Sequence, residues 1–194
     1  MMNELKGVRI GCAMTGSFCT FTQVFNVWQK LADTGATLIP IMSENAYSFD
    51  TRFYDAAEAR RIFCEICGRE IIHTIPQAEP IGPRKLLDLL IIAPCTGNTL
   101  AKLANGIADT SVTLAAKSHL RNDRPVVVAV STNDGLGRNG ASIGRIFSQK
   151  NFYFVPFGQD DFSGKPASLV AHFDRIIETA KEALDGRQSQ PLLI

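Results

Sequence analysis

The segment LLDLLIIAPCTGNTLAK (residues 86–102) joins an apolar run to a polar turn and the beginning of a helical pattern. A run with so little polar alternation is typical of a central strand that is buried on both faces of a parallel sheet. The run ends in small uncharged side chains, among them Cys95, Thr96 and Asn98. The segment therefore predicts a buried strand, an uncharged turn and then a helix.

Strand and helix patterns alternate on both sides of this segment. Short aliphatic or β-branched runs predict further strands at 7–14, 36–42, 70–73, 124–131 and 151–158. Apolar residues at helical spacing predict helices within 21–35, 48–68, 99–122 and 166–186, the third being one helix or two that separate near Gly106. Three prolines predict a loop at 74–85.

This alternation predicts a doubly wound, Rossmann-like α/β fold, with a mainly parallel sheet inside a three-layer sandwich. We expect a single domain over residues 1–186 and a C-terminal tail at 187–194. The apolar end of the tail, Pro191 to Ile194, either docks on a neighbouring chain or frays.

The composition narrows the classes of function. Of 194 residues, 45% are apolar and 20% are charged, and the net charge is +1. This balance offers no strong field for nucleic acid or an anionic membrane. No apolar run reaches the length of a signal peptide or a membrane span. We therefore expect a cytoplasmic protein without nucleic-acid or membrane partners.

Five cysteines without an export signal favour free thiols in a reducing compartment. Cys64 and Cys67 form one CxxC pair, which is half of a zinc site, a redox motif or simply two residues on the inner face of a helix. A structural zinc ion needs four ligands, and no second pair follows. We therefore favour two cysteines on the inner face of a helix, and we expect no metal.

Polar turns follow four of the predicted strands, at 14–21, 43–48, 94–99 and 131–140. All four are rich in Gly, Ser, Thr and Asn. In a parallel sheet the carboxyl ends of the strands meet at one edge, and ligands bind there near the switch in strand order. We therefore expect the four turns to form one site.

The first two turns favour one phosphate over a dinucleotide. The first turn lacks the glycine spacing of dinucleotide sites and of P-loops. Ser43 stands where a dinucleotide site places a carboxylate for the ribose. Gly16 and Ser17 open a helix, whose N-terminus attracts anions. A mononucleotide phosphate between Ser17 and Ser43 is one interpretation, and a capping serine and a turn serine without a ligand explain the two residues equally well.

The segment APCTGNTLAKLANGIADT (93–110) resembles the flavin-binding signature of the homo-oligomeric flavin-containing cysteine decarboxylase family. In that family Pro-Ala-Ser-Ala-Asn-Thr precedes a helix and a Gly-Ile-Ala-Asp segment. IGCAMTGS (10–17) is similar to the family's first strand and turn, and VVVAVSTN (126–133) lies where the family has Pro-x-Met-Asn. The resemblance covers nearly the whole chain and implies FMN as cofactor and a homo-oligomer, a trimer or a dodecamer.

Matching positions carry the family's roles onto this chain. Three residues would hold the FMN phosphate: Gly16, Ser17 and Ser43. Five residues would contact the flavin: Thr96, Gly97, Asn98, Thr99 and Ser131. The catalytic candidates are His73, Asn98 and Asn133. Asn133 matches an asparagine that contacts a substrate carboxylate, whereas His73 lies further upstream than the family's base, and the Pro and Met of Pro-x-Met-Asn are absent.

Three further segments narrow the resemblance to one branch of the family: AEPIGP (78–83), AVSTNDGLGRNG (129–140) and FVPFGQDD (154–161). That branch implies an oxidoreductase subunit that helps to remove two hydrogens from a small cyclic dicarboxylate in the mother cell of a sporulating bacterium. NAD(P) is then expected on a separate partner subunit. The alternatives are a stand-alone FMN-dependent decarboxylase or prenyltransferase, and a non-catalytic assembly subunit with a relic flavin pocket.

Overall fold

The computed structural model describes residues 4–194, so the first three residues of the predicted domain lie outside it. Within these residues the strands form one sheet in the order β2-β1-β3-β4-β7-β6, and β5 pairs with β4 beside that path. The strands are β1 (Arg9–Met14), β2 (Thr37–Met42), β3 (Leu89–Cys95), β4 (Val126–Thr132), β5 (Phe152–Phe154), β6 (Phe157–Gly158) and β7 (Leu169–Ala171).

Helices cover both faces of the sheet. They are α1 (Phe21–Ala32), α2 (Glu44–Ser48), α3 (Ala56–Cys67), α4 (Ile75–Ala78), α5 (Gly97–Ala104), α6 (Ser111–Leu120), α7 (Asn139–Phe147) and α8 (Ile176–Leu184). Helix α1 contacts α3 and α8, whereas α6 contacts α4 and α5, and α5 contacts α7. The predicted doubly wound α/β fold is confirmed.

The central strands are parallel and buried, as the apolar run predicts. Strand β1 pairs in parallel with β2 and β3, and β3 pairs in parallel with β4. Every side chain of β3 is buried. Helices on both faces remove the need for a polar side, which explains the continuous apolar sequence.

The C-terminal part of the sheet differs from the prediction. The expected helix 166–186 is wrong in its first half, because Leu169–Ala171 forms β7 and α8 begins only at Ile176. Strand β7 pairs antiparallel with the end of β4, and this pairing outweighs the local helical spacing. The expected strand 151–158 divides into β5 and β6 around Pro156, which has no N–H for a sheet hydrogen bond.

Smaller differences concern the first half of the chain. The expected strand 70–73 is reduced to one bridge between Ile72 and Ile41. The expected helix 48–68 is α3, with the short α2 before it, and Gly68 ends α3 with a φ of 62° as a left-handed cap. The predicted loop 74–85 contains the short helix α4, because Thr74 and Gln77 form a capping box.

An ion cluster ties the strands together at the amino ends of β1, β3 and β4. Asp88 accepts hydrogen bonds of 2.7–2.9 Å from the Arg9 backbone and guanidinium, and one of 2.8 Å from Arg124. The Arg9 hydrogen bonds hold the pKa of Asp88 at about 2. The cluster lies at the opposite edge from the predicted site.

The tail is packed against the sheet. The Phe157 N–H donates to the Leu192 carbonyl at 3.0 Å, and the Ile194 N–H donates to the Phe157 carbonyl at 3.2 Å. The Gln188 side chain exchanges two hydrogen bonds with the backbone of Phe154, at 2.8 and 2.7 Å. These bonds extend the sheet, while a domain boundary at residue 186 stays a prediction.

None of the helices in residues 4–194 is both long enough and apolar enough to cross a membrane.

Candidate functional site

A cavity of about 400 Å³, here called the strand-end cavity, opens at the carboxyl ends of β1, β2 and β3. The chain passes from β1 to β2 on one side of β1 and then returns to β3 on the other side. Such a reversal of strand order is where α/β sheets bind ligands. Five of the predicted site residues line this cavity: Gly16, Ser43, Thr96, Asn98 and Thr99.

Thr15 fixes the base of the strand-end cavity. Its side chain is 1% exposed, its hydroxyl donates to the Pro94 carbonyl at 2.7 Å, and it accepts from the Thr96 N–H at 3.0 Å. One threonine therefore holds the turn after β1 against the turn after β3. It was absent from the predicted site, although it lies between Met14 and Gly16 in the first polar turn.

The beginning of α5 supplies neutral hydrogen-bonding groups. Thr96 is the N-cap, and its hydroxyl accepts from the Thr99 N–H at 3.3 Å and lies 3.0 Å from the Thr99 hydroxyl. Asn98 is exposed, and its amide has no hydrogen-bond partner within residues 4–194. The threonines are thus oriented by the helix cap, and the Asn98 amide is available to a ligand.

Gly97 supports the cavity through its lack of a side chain. A Cβ there would lie 2.5 Å from the Asn139 amide nitrogen and 2.6 Å from the Thr132 hydroxyl. Those two groups donate to Asp134 at 2.5–2.9 Å and lower its pKa, the Thr132 bond contributing most. The turn after β4 therefore packs directly on the N-terminus of α5.

Ser17 and Ser131 lie together beside the strand-end cavity. Their hydroxyl oxygens are 2.7 Å apart, which joins the turn after β1 to the end of β4. Neither residue, nor Gly97, belongs to the cavity lining. Their predicted contacts with phosphate or flavin stay predictions.

Gly16 leaves open space at one end of the strand-end cavity. A Cβ on Gly16 would lie 3.4 Å from the Phe18 ring and 3.9 Å from the Asn45 Cβ, and both of these residues line the cavity. A side chain here would therefore project into the cavity and not into the core.

The charged groups of the strand-end cavity are few. Lys102 donates to both carboxylate oxygens of Asp109 at 2.8 and 3.0 Å, which lowers the pKa of Asp109. Glu44 adds an exposed carboxylate at the beginning of α2. Lys102 follows Asn98 by four residues, so the helical spacing could have identified it. Asp109 ends the Gly-Ile-Ala-Asp segment of the family signature, so that match could have identified it.

His73 lies in a different place, which we call the helix-side cavity. This cavity of about 410 Å³ is bordered by α2, α3 and residues 70–77, and Tyr47, Arg60 and Gln77 also line it. Asn133 is exposed in the turn after β4 and lines neither cavity. The structure does not bring His73 or Asn133 to the strand-end cavity, and their catalytic roles stay predictions.

Within residues 4–194 no three His, Cys, Asp or Glu side chains are grouped so that they could hold a metal ion.

Comparison with known proteins agrees with this geometry. The model of the Flavoprotein family matches residues 2–139, which include β1, β2, β3 and the turns that form the strand-end cavity. The chain belongs to the Flavoprotein family. The predicted resemblance to flavin-containing proteins is thereby confirmed at the level of the family.

Two relatives match this flavoprotein over its whole length. It is 46% identical over 193 residues to the B-type subunit of dipicolinate synthase from Bacillus subtilis (strain 168), covering 100% of this chain and 96% of that protein. The crystal structure of the B-type dipicolinate synthase subunit from Bacillus halodurans superposes with a TM-score of 0.91 at 42% identity, covering 100% of this chain and 98% of that chain. The predicted branch of the family is therefore confirmed.

A more distantly similar solved structure shares the fold. The FMN-dependent cysteine decarboxylase SpaF superposes on this flavoprotein with a TM-score of 0.68 at 20% identity, covering 93% of this chain and 99% of that chain. At this identity the likeness concerns the arrangement of the sheet and helices alone.

Proposed function

We propose that this protein is the B-type subunit of a dipicolinate synthase, which binds FMN in the strand-end cavity and acts with the A-type subunit of the same enzyme. The observation that carries the proposal is the full-length likeness to two B-type subunits, at 46% and 42% identity. The product of such an enzyme is pyridine-2,6-dicarboxylate, and sporulation in the mother cell is the expected setting.

The lining of the strand-end cavity supports a flavin mononucleotide. A volume of about 400 Å³ is within the usual range of small-ligand sites. Phe18 and Phe49 offer aromatic faces, and the hydroxyls of Thr96 and Thr110 offer neutral hydrogen bonds. The space beside Gly16 lies just before a short 3₁₀ turn (Phe18–Thr20) that leads into α1. It suits a phosphate, because the first N–H groups of a helical turn have no partner inside it.

Different residues of the strand-end cavity would contact different parts of FMN. Gly16 and Ser43, which follow β1 and β2, would bind the phosphate end. Thr96, Asn98 and Thr99 would orient the ring and the sugar chain through uncharged hydrogen bonds. FMN, when bound, would supply a two-electron acceptor. Ser17, Ser131 and Gly97 would act in support, since they hold the adjoining turns in place.

The overall chemistry is the loss of two hydrogens from a dihydropyridine dicarboxylate, with the loss of one water molecule as well when the precursor is hydroxylated. We propose that the A-type subunit carries NAD(P) and that this chain completes the complex as part of an oxidoreductase. A homo-oligomer, such as a trimer or a dodecamer, is proposed from the family resemblance. The small dicarboxylate would be recognised where the two kinds of subunit meet.

The first experiment measures FMN binding through the visible absorption that remains after gel filtration. Gly16→Ala places a methyl group in the cavity at ordinary contact distances, so the fold should tolerate it. Overfilling a packed site costs about 1–3 kcal/mol, so FMN affinity should fall about 5- to 150-fold. Gly144→Ala is the matched control, because a Cβ there meets nothing within 4 Å.

Two results would overturn the flavin assignment: a protein that retains no FMN, or a Gly16→Ala variant that binds FMN as well as the Gly144→Ala control.

The second experiment tests the role in the complex. The protein is purified with the A-type subunit of a dipicolinate synthase, and the formation of pyridine-2,6-dicarboxylate is followed by its ultraviolet absorption. Asn98→Leu, at an exposed position of α5, should lower turnover without loss of the complex. Unchanged turnover would favour the assembly role, and turnover of a substrate by this chain alone would favour the stand-alone enzyme.

A further inference from the structure

The helix-side cavity is as large as the strand-end cavity, at about 410 Å³ against 400 Å³, and it carries different chemistry. The short helix α2 stands between the two cavities: Ser43 and Asn45 line the strand-end cavity, and Tyr47 lines the helix-side cavity. The helix-side cavity has no part in the proposed flavin site.

An aromatic and cationic stack forms one wall of the helix-side cavity. The His73 ring lies parallel to the Tyr47 ring, with 3.7 Å between centroids and 4° between planes. The Arg60 guanidinium carbon lies 4.7 Å from the centroid of the Tyr47 ring, and an Arg60 N–H donates to the Tyr47 carbonyl. Arg60 is therefore held in one orientation by two contacts with a single residue.

Gln77 presents a second oriented donor. Its side-chain oxygen accepts from the backbone N–H groups of His73 at 2.9 Å and of Thr74 at 3.1 Å. The amide oxygen is thus occupied, and within residues 4–194 the Gln77 NH₂ group has no acceptor. A carbonyl can only accept, so the contact of 3.2 Å between His73 Nδ1 and the Ile71 carbonyl places a hydrogen on Nδ1.

The lining of the helix-side cavity carries two guanidinium groups, those of Arg60 and Arg61, and one carboxylate, that of Glu70. Arg61 is compensated by Glu58 and Glu65, at 2.8 and 2.6 Å. Arg60 forms no ion pair within residues 4–194, and Glu70 is the carboxylate in the lining. The Arg60 guanidinium, which is free of an ion pair within residues 4–194, suits a single carboxylate, and the Glu70 carboxylate disfavours a dianionic phosphate.

We propose that the helix-side cavity is a second binding site, which takes a small planar carboxylate. The carboxylate accepts hydrogen bonds from Arg60 and Gln77, and the ring of the ligand lies along the wall formed by Tyr47 and His73. The site is independent of flavin, since no residue lines both cavities. His73 is then a ligand-contacting residue of this site.

Isothermal titration calorimetry with benzoate, on the whole protein and without added FMN, tests the proposal. We expect saturable binding with one benzoate per chain, and affinity at least about tenfold lower for benzamide, which has the same shape without the charge. Arg60→Gln should lower benzoate affinity by at least about tenfold. Arg52→Gln should leave it unchanged, because Arg52 contacts the Phe53 ring and lies outside the cavity.

A second variant keeps the result interpretable if loss of Arg60 disturbs α2. Ala57 is exposed, lies on α3 and lines the helix-side cavity, so Ala57→Phe fills the cavity and leaves Arg60 in place. It should also lower benzoate affinity at least about tenfold, with thermal melting as the check of folding. No benzoate binding, benzoate affinity in Arg60→Gln and Ala57→Phe unchanged from that of the unsubstituted protein, or competition by FMN would overturn the proposal.

Discussion

Replacing Thr15 by valine tests whether one buried hydroxyl holds the site together. Valine has nearly the same shape and the same β-branching, so the substitution removes the hydroxyl with little change in packing. Two contacts disappear: the 2.7 Å bond to the Pro94 carbonyl and the 3.0 Å bond from the Thr96 N–H. The Pro94 carbonyl still accepts a hydrogen bond from the Thr15 backbone N–H at 3.3 Å, whereas the Thr96 N–H loses its partner.

The expected cost follows from this asymmetry. A buried donor without a partner costs about 1–3 kcal/mol, so Thr15→Val should lower the free energy of unfolding by about 2 kcal/mol. For a chain of this size each kcal/mol moves the melting temperature by about 2–4 °C, which gives a decrease of about 4–8 °C. The turns after β1 and β3 should also separate more easily in Thr15→Val, so its FMN affinity should decrease as well.

Urea denaturation followed by circular dichroism measures the first effect, with Thr179→Val as the matched control. Thr179 is fully buried, and its hydroxyl donates only to the Arg175 carbonyl at 3.0 Å. That carbonyl precedes α8 and also accepts the first backbone bond of the helix, so no group loses its only partner. The free energy of unfolding of the control should fall by less than about 1 kcal/mol. Equal losses in the two variants would refute the assignment of Thr15 as the link between the turns.

Three shorter predictions concern other parts of the fold. Asp88→Asn should lower the free energy of unfolding at pH 7 by up to about 2 kcal/mol, because a folded-state pKa of about 2, below the ordinary 3.8, stabilises the protein above pH 4. That difference should vanish as the pH falls to about 2 in acid titrations of urea melts, and a constant difference would contradict the ion cluster. Gly158→Ala should release the tail, because a Cβ there would overlap the carbonyl of the last residue; faster hydrogen exchange at Leu192 and beyond measures this, and unchanged exchange would contradict the docking. Cys19 is exposed and should react with a thiol reagent in the native protein, whereas Cys12 and Cys95 should react only on unfolding, since burial raises the pKa of both thiols; equal rates for all three would contradict the buried placement.

The sequence predicted the parts of the site that depend on local pattern. Gly16, Ser43, Thr96, Asn98 and Thr99 follow strands that the apolar runs marked, and they meet at one cavity because parallel strands end at one edge. His73 also follows a short apolar run, but the run barely pairs with the sheet, and the ring stacks on Tyr47 away from that edge. Three of the four turns expected to form one site therefore line the strand-end cavity, whereas the turn after β4 contributes no residue to the lining and His73 lies in another cavity.

Charges and buried polar groups were harder to predict. Lys102 of α5 pairs with Asp109, which lies in the connection between α5 and α6, and no regular residue spacing predicts this ion pair. His119 lies on α6, where it is 1% exposed and hydrogen-bonded to the Pro125 carbonyl at 3.1 Å, and burial lowers its pKa to about 4. Burial depends on which neighbouring element covers a helix face, and this is a property of the assembled fold.

By itself the sequence determined the parallel core strands β1 to β4, the main helices between them and the family, because apolar runs, helical spacing and turn residues act over a few neighbours along the chain. Only the tertiary structure decided three other features. Thr15 bridges two turns, and Gly97 leaves room for the side chains of Thr132, Asp134 and Asn139. Residues 169–171 form a strand that pairs with β4 instead of a helical turn. Each of these depends on groups far apart in the chain that come within hydrogen-bond distance once the sheet has formed. A local pattern cannot encode such contacts, since their free energy arises from packing and from the partners that burial makes necessary.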